Sequence, residues 1–254
     1  MTGNIVSLNG HRLNIEGRGP SDGLTVFMLH LGLGSVKSWK AQIPALAEAG
    51  YRVIAFDRWG YGGSDPREQL SLPYFEEDLC DLETLLNNFG LDRVALVGHS
   101  DGGTISLYYA AQYPARVACM VITAAHIYVE PKMIPGIQGI QQAFTHDKRM
   151  RAGLKHLHGD KVNAVFQGWY QGWMKPEIMD WDIRSLLGSI TCPTLVVQGI
   201  DDEHATPKHA EDIASAIPGA ELWLEPGAGH MLPQDIPEEF NRKVISFLRT
   251  HYII

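Results

Sequence analysis

Cysteine is scarce in this chain. Only Cys80, Cys119 and Cys192 occur among 254 residues, an odd number with no framework spacing. A disulfide scaffold is therefore not expected, and a reducing, cytoplasmic setting fits. Cys119 and Cys192 sit in the apolar runs VACMVITAA and ITCPTLVV, where a thiol acts as a small hydrophobe. Clustered positive charge is also missing. With a formal net charge of −8 and no lysine or arginine run, nucleic acid and anionic membrane surfaces are poor partners. The opening MTGNIVSLNG has no charged segment leading into an apolar one, so no signal peptide is expected. No apolar run approaches the roughly 18 residues that span a bilayer. What remains is a soluble protein, monomeric or a small homo-oligomer, whose partner is a small molecule.

The residues present are enough for one full-sized core, 45% of them hydrophobic. Six short apolar runs, at 25–30, 52–57, 93–99, 117–125, 193–199 and 220–226, read as strands buried on both faces. Amphipathic stretches near 38–49, 74–89, 102–113, 207–216 and 236–251 alternate with them, which is the pattern of a parallel sheet wound by helices. NIVSLNGHRLNIEGRG reads as a hairpin turning at Asn9-Gly10, so antiparallel strands begin the sheet. The expected architecture is α/β: a doubly wound, mostly parallel, eight-stranded sheet. One segment breaks the rhythm. Residues 127–187 hold no strand-like run but carry helical pieces with Trp169, Tyr170, Trp173 and Trp181. They are expected to form a helical cap over the sheet's C-terminal edge, inserted between core segments 1–126 and 188–254.

LVGHSDGGT, residues 96–104, places Ser100 between glycines at a strand-to-helix junction. A serine hydroxyl is a weak nucleophile. It needs exposure on a sharp turn, a base, a group to orient the base, and donors for the oxyanion that forms. Gly98 and Gly102 leave room for such a turn, in the G-x-S-x-G elbow pattern. His230 stands out among eleven histidines because EPGAGHMLPQDIPEEF places it on a Gly-rich loop between the last strand and the last helix. LVVQGIDDEHATP supplies a carboxylate after a strand, Asp201 or Asp202, able to fix the imidazole tautomer. The N–H of Asp101 is one oxyanion donor, and the loop LGLGS after TVFMLH is the source of a second.

FMLHLGLGSVKSW, FDRWGYGGSDP, GHSDGG, QGIDDEHATP and GAGHMLP together resemble the α/β-hydrolase superfamily, in its serine hydrolase branch, from about Val26 to Phe247. The resemblance implies Ser100 as nucleophile and His230 as base. Its Gly-x-x-Asp pattern, counted from Gly199, selects Asp202. The residue two after His30, Gly32, would give the second oxyanion N–H, although Leu31 replaces the glycine usual between them. Serine at the nucleophile position disfavours dehalogenase and epoxide-hydrolase chemistry. The implied activity is a cofactor-free, metal-free carboxylesterase acting on a small or medium carboxylic ester.

Asp101 has two readings. A carboxylate in the first turn of a helix gains roughly 0.3–1 kcal/mol from the dipole, which needs no substrate. It could also bind a substrate ammonium, and the order Ser-Asp-Gly-Gly resembles valacyclovir hydrolase-like amino acid ester hydrolases as well as bacterial carboxylesterases. An amino acid ester is thus among the substrate classes. His126, Tyr128, Trp169 and Trp173 are further candidates for the pocket. Trp59 is a candidate for its floor or for packing, His99 for packing, and KHLHGD (155–160) for the surface. His204 and His209 do not share one helical face, so a metal site is not expected. The rival functions are carbon–carbon hydrolysis or lactone opening on the same triad, and a non-catalytic ligand receptor. The first would want cations for a second carboxylate, and Arg58, Lys132 and Arg184 are the available ones.

Overall fold

The computed structural model describes residues 4–252. Its strands are β1 (Asn4–Leu8), β2 (His11–Arg18), β3 (Thr25–Leu29), β4 (Arg52–Phe56), β5 (Val94–His99), β6 (Val117–Thr123), β7 (Thr194–Gly199) and β8 (Glu221–Glu225). They form one sheet in the order β1-β2-β4-β3-β5-β6-β7-β8. β2 pairs antiparallel with β1 and β4, and the remaining pairs are parallel. The first turn is the expected one: Asn9 and Gly10 both take positive φ, 48° and 86°, as a two-residue hairpin requires.

The helices are α1 (Gln42–Glu48), α2 (Glu76–Asn88), α3 (Asp101–Gln112), α4 (Met133–His146), α5 (Lys148–His158), α6 (Val162–Trp173), α7 (Arg184–Leu187), α8 (Lys208–Ala216), α9 (Leu232–Asp235) and α10 (Pro237–His251). Successive strand residues point to opposite sheet faces, and the core divides accordingly. Phe27, Leu29 and Leu96 pack with α2, α3 and α8 and the helices that follow β6. Val26, Met28, Ala95 and Val97 pack with Ile43 and Leu46 of α1 and with Phe240, Val244 and Leu248 of α10. At about 1.5–3 kcal/mol for each large apolar side chain fully buried, these two layers hold the strand ends in place.

The order β4-β3-β5 matters most for function. The chain leaves β3 toward β4 on one side, then crosses over to β5 on the other. The loops after β3 and β5 diverge there, opening a crevice at the C-terminal edge. Helices α4 to α7 are inserted between β6 and β7, and α4, α5 and α6 provide its far wall. One anchor of that insertion departs from the sequence reading. His158, expected at the surface within KHLHGD, is buried at the end of α5. Its Nε2–H donates to the Leu33 carbonyl at 2.9 Å, and its Nδ1 accepts from the Gly62 N–H at 3.0 Å. It ties α5 to two core loops at once.

Candidate active site

Ser100 stands between β5 and α3 with φ 54° and ψ −119°, a conformation that costs a non-glycine residue about 1–3 kcal/mol. Sequence and packing hold it there. A Cβ at Gly98 would collide with the Gly102 carbonyl, and one at Gly102 with the Leu29 carbonyl. The Ser100 N–H donates to the Thr123 carbonyl at 2.8 Å, and Thr104 N–H returns to the Ser100 carbonyl at 3.0 Å. The side chain borders a cavity of about 300 Å³, shared with Gly32, Asp101, His126, Trp169, Trp173, His204 and His230.

Asp202, rather than Asp201, reaches the imidazole. The His230 Nδ1–H donates to Asp202 Oδ2 at 2.8 Å. Asp202 is fully buried and also accepts from Gln198 Nε2 at 2.6 Å and from the His204 N–H at 2.8 Å. Asp201 is exposed and accepts from the Gly227 N–H instead. Burial alone would raise the Asp202 carboxyl, but the His230 charge and hydrogen bond outweigh it and hold it well below the usual range. The opposite balance acts on His230: burial lowers it, and Asp202 raises it above its ordinary value. The His230 backbone is fixed as well, its carbonyl accepting from His99 Nε2 at 2.8 Å and its N–H donating to Glu203.

Other imidazoles crowd this pair. His204 meets the His230 ring edge-on at 4.7 Å between centroids, His99 lies at 5.3 Å, and His126 stacks at 5.9 Å. Burial pushes all three below the ordinary histidine value, His204 to about 4 and His99 to about 3. They stay neutral while His230 is held ready to carry a charge. With Nδ1 committed to Asp202, Nε2 is the nitrogen free to accept a proton. Ser100 Oγ and that ring border the same cavity, and among the described residues no hydrogen bond yet joins them. Such bonds commonly tighten only when substrate binds.

Asp101 does more than open α3. Its carboxylate is buried and paired with Arg58 at 3.1 Å; Arg58 lies 3.5 Å from Asp78, and Arg67 pairs with Asp78 at 3.1 Å. Burial raises the Asp101 carboxyl, opposed chiefly by the Arg58 charge and hydrogen bond. Gly32, on the loop after β3, faces it closely: a Cβ there would lie 2.8 Å from Asp101 Oδ2 and collide with Trp169 Nε1.

Of the other pocket candidates, His126, Trp169 and Trp173 line the cavity, and Tyr128 does not. The Tyr128 ring stacks on His209 at 4.1 Å between centroids and its hydroxyl donates to Asp212, which turns it toward α8. Trp59 stacks on His11 and donates to the Pro66 carbonyl, so it packs away from the cavity. Sequence reasoning missed much of the apolar wall: Met133, Ile137 and Ile140 from α4, and Met150, Leu154 and Leu157 from α5. Both trios repeat at i, i+4, i+7, a helical stripe that the sequence alone displays. His204, considered only as a metal ligand, also lines the cavity.

This combination of sheet order, serine elbow and histidine–carboxylate pair defines a class. Residues 25–155 match the family model described as alpha/beta hydrolase fold. The human serine hydrolase BPHL is 32% identical over 249 residues, covering 96% of this chain and 85% of that protein. The chain belongs to the α/β-hydrolase fold family. It is also similar to the 2-hydroxy-6-oxo-6-phenylhexa-2,4-dienoate hydrolase of Comamonas testosteroni, 29% identical over 90% of this chain and 88% of that one. Among solved structures, the enol-lactonase from Burkholderia xenovorans LB400 aligns with a TM-score of 0.78 at 20% identity, over 97% of this chain and 100% of that one. At that identity the likeness speaks for the fold alone.

Proposed function

We propose that this protein is a serine hydrolase that cleaves a small or medium carboxylic ester through an acyl-enzyme on Ser100. The observation that carries the reading is the His230–Asp202 hydrogen bond at the cavity that Ser100 borders from its positive-φ elbow. Ser100 Oγ attacks the ester carbonyl while His230 Nε2 takes its proton. The N–H groups of Asp101 and Gly32 hold the oxyanion, and the imidazolium, stabilised by Asp202, returns the proton to the leaving alkoxide. Water activated by His230 then releases the acid. None of these steps calls on a metal or cofactor. Three free cysteines fit a cytoplasmic setting for this chemistry.

The placement of cations weighs on the rivals. Arg58 is committed to Asp101 and Asp78, Lys132 Nζ donates to the Asp202 and Ala205 carbonyls, and Arg184 pairs with Asp182. None of the three lines the cavity. A carbon–carbon hydrolase for doubly acidic substrates would lack a partner for the second carboxylate, whereas lactone opening is ester chemistry and stays within the proposal. A fluorophosphonate probe tests the whole reading. Labelling of the wild type, abolished in Ser100→Ala, is the expected result. A folded wild-type protein that takes no label and hydrolyses no p-nitrophenyl ester would instead be a ligand receptor.

A further inference from the structure

The cap wall beside the nucleophile carries a polar group that the proposed acyl transfer does not use. Among the described residues the buried indole Nε1–H of Trp169 finds no acceptor. Gly32 marks its position, because the space a Cβ would take there is closed by Trp169 Nε1 and by Asp101 Oδ2. A neutral donor and a carboxylate acceptor thus converge on one face of the oxyanion loop, and both residues border the cavity with Ser100. Much of the remaining lining is apolar, from Leu31 and Leu33 to Met133 and Ile137.

The two groups select what can sit between them. Desolvating the indole N–H without an acceptor is unfavourable, and a ligand oxygen relieves it. The Asp101 carboxylate already faces Arg58 at 3.1 Å, yet it retains acceptor sites. A substrate ammonium could donate to Asp101, but it would meet the Arg58 charge and present no lone pair to Trp169. A hydroxyl satisfies both, accepting from Nε1–H and donating to the carboxylate. Asp101 directly follows the nucleophile and Gly32 lies on the oxyanion loop, so this hydroxyl lies next to the reacting carbonyl.

We propose that the acyl group of the substrate carries a neutral hydroxyl on the carbon adjacent to the scissile carbonyl, received by Trp169 Nε1–H and the Asp101 carboxylate. Trp169 is then a specificity-determining residue. The inference rests on the ester-hydrolase reading and narrows its substrate class to 2-hydroxy esters over amino acid esters.

Benzyl butyrate, benzyl 2-hydroxybutyrate and benzyl 2-aminobutyrate form a matched test at about pH 7. More of His230 is free to act as base there than in acid, and the α-amino group, with a pKa of about 7.7, is still mostly protonated. The hydroxy ester is expected to have a kcat/KM at least about tenfold above the plain ester, with the ammonium ester lowest. Trp169→Phe should bring the hydroxy-to-plain ratio to about one while benzyl butyrate is still hydrolysed. A wild-type ratio near one, an ammonium ester that is best, or a preference that survives in Trp169→Phe overturns the proposal. Calorimetric Kd values for the same esters on Ser100→Ala read the subsite without turnover. A hydroxyl preference in binding with no hydrolysis by the wild type would sink the esterase reading and keep the subsite. Hydrolysis with no preference in either rate or binding would do the reverse.

Discussion

Two buried carboxylates flank Ser100, and they are matched with different kinds of cation. Asp202 faces His230, whose charge comes and goes with one proton. Asp101 faces Arg58, whose charge is permanent. On the proposed mechanism the site has one side whose electrostatics change during a reaction cycle and one side that stays constant. Burial acts on both acids in the same direction, yet the outcomes differ. The imidazole and a backbone N–H pull Asp202 well below its ordinary pKa, whereas Asp101 remains above its own. At Asp101 burial, helped by the nearby Asp78 charge, outweighs Arg58; at Asp202 the His230 charge and the hydrogen bonds outweigh burial.

The largest expected effect lies on the changing side. Asp202→Asn keeps the shape but lets His230 adopt the wrong tautomer. On the proposed mechanism kcat falls by about 10⁴-fold, the magnitude known for the equivalent change in a serine protease triad. Ester kinetics with unchanged circular dichroism would check it, and a loss under tenfold would remove Asp202 from the mechanism. On the constant side the effect should appear in stability. Arg58→Met strips Asp101 of its charge partner and should cost about 3–5 kcal/mol in urea unfolding. Adding Asp101→Asn should recover part of that cost, since no unpaired charge is then left in the ion pair. If the double variant is no more stable than Arg58→Met alone, the two residues are not coupled as their 3.1 Å contact implies.

The changing side was far more legible in the sequence than the constant one. Ser100, Asp202 and His230 each follow a strand, and glycines flank them at short, fixed offsets, so local pattern carries them. The strands themselves were readable because both of their faces are buried, which leaves continuous apolar runs such as VALVGH. Arg58, Arg67, Asp78 and Asp101 meet only through the crossover of the fold, and no spacing announces them. Cap side chains were harder still. Tyr128 and Trp169 are both aromatic residues near the cavity, but the docking of each segment turns one outward and the other inward. His158 shows the same limit: a histidine in a basic, mostly exposed helix end turns inward to join two loops.

The smallest predicted effect separates the two acids by the sign of their pH dependence. A carboxyl held below its unfolded pKa contributes stability above that unfolded value, and the contribution is lost as pH falls through the folded value. Asp202 is of this kind. A carboxyl raised above its unfolded pKa behaves oppositely: its contribution is full below the unfolded value and disappears as pH rises through the folded one, as for Asp101. A tenfold difference in proton affinity between the folded and unfolded chain is worth about 1.4 kcal/mol. Urea unfolding of the wild type, Asp202→Asn and Asp101→Asn over the carboxylate titration range therefore gives difference curves of opposite slope. The stability of the wild type relative to Asp202→Asn should decline on acidification, and relative to Asp101→Asn it should rise. Parallel curves would mean that Arg58 governs Asp101 as fully as His230 governs Asp202, and the contrast between the two sides of Ser100 would be lost.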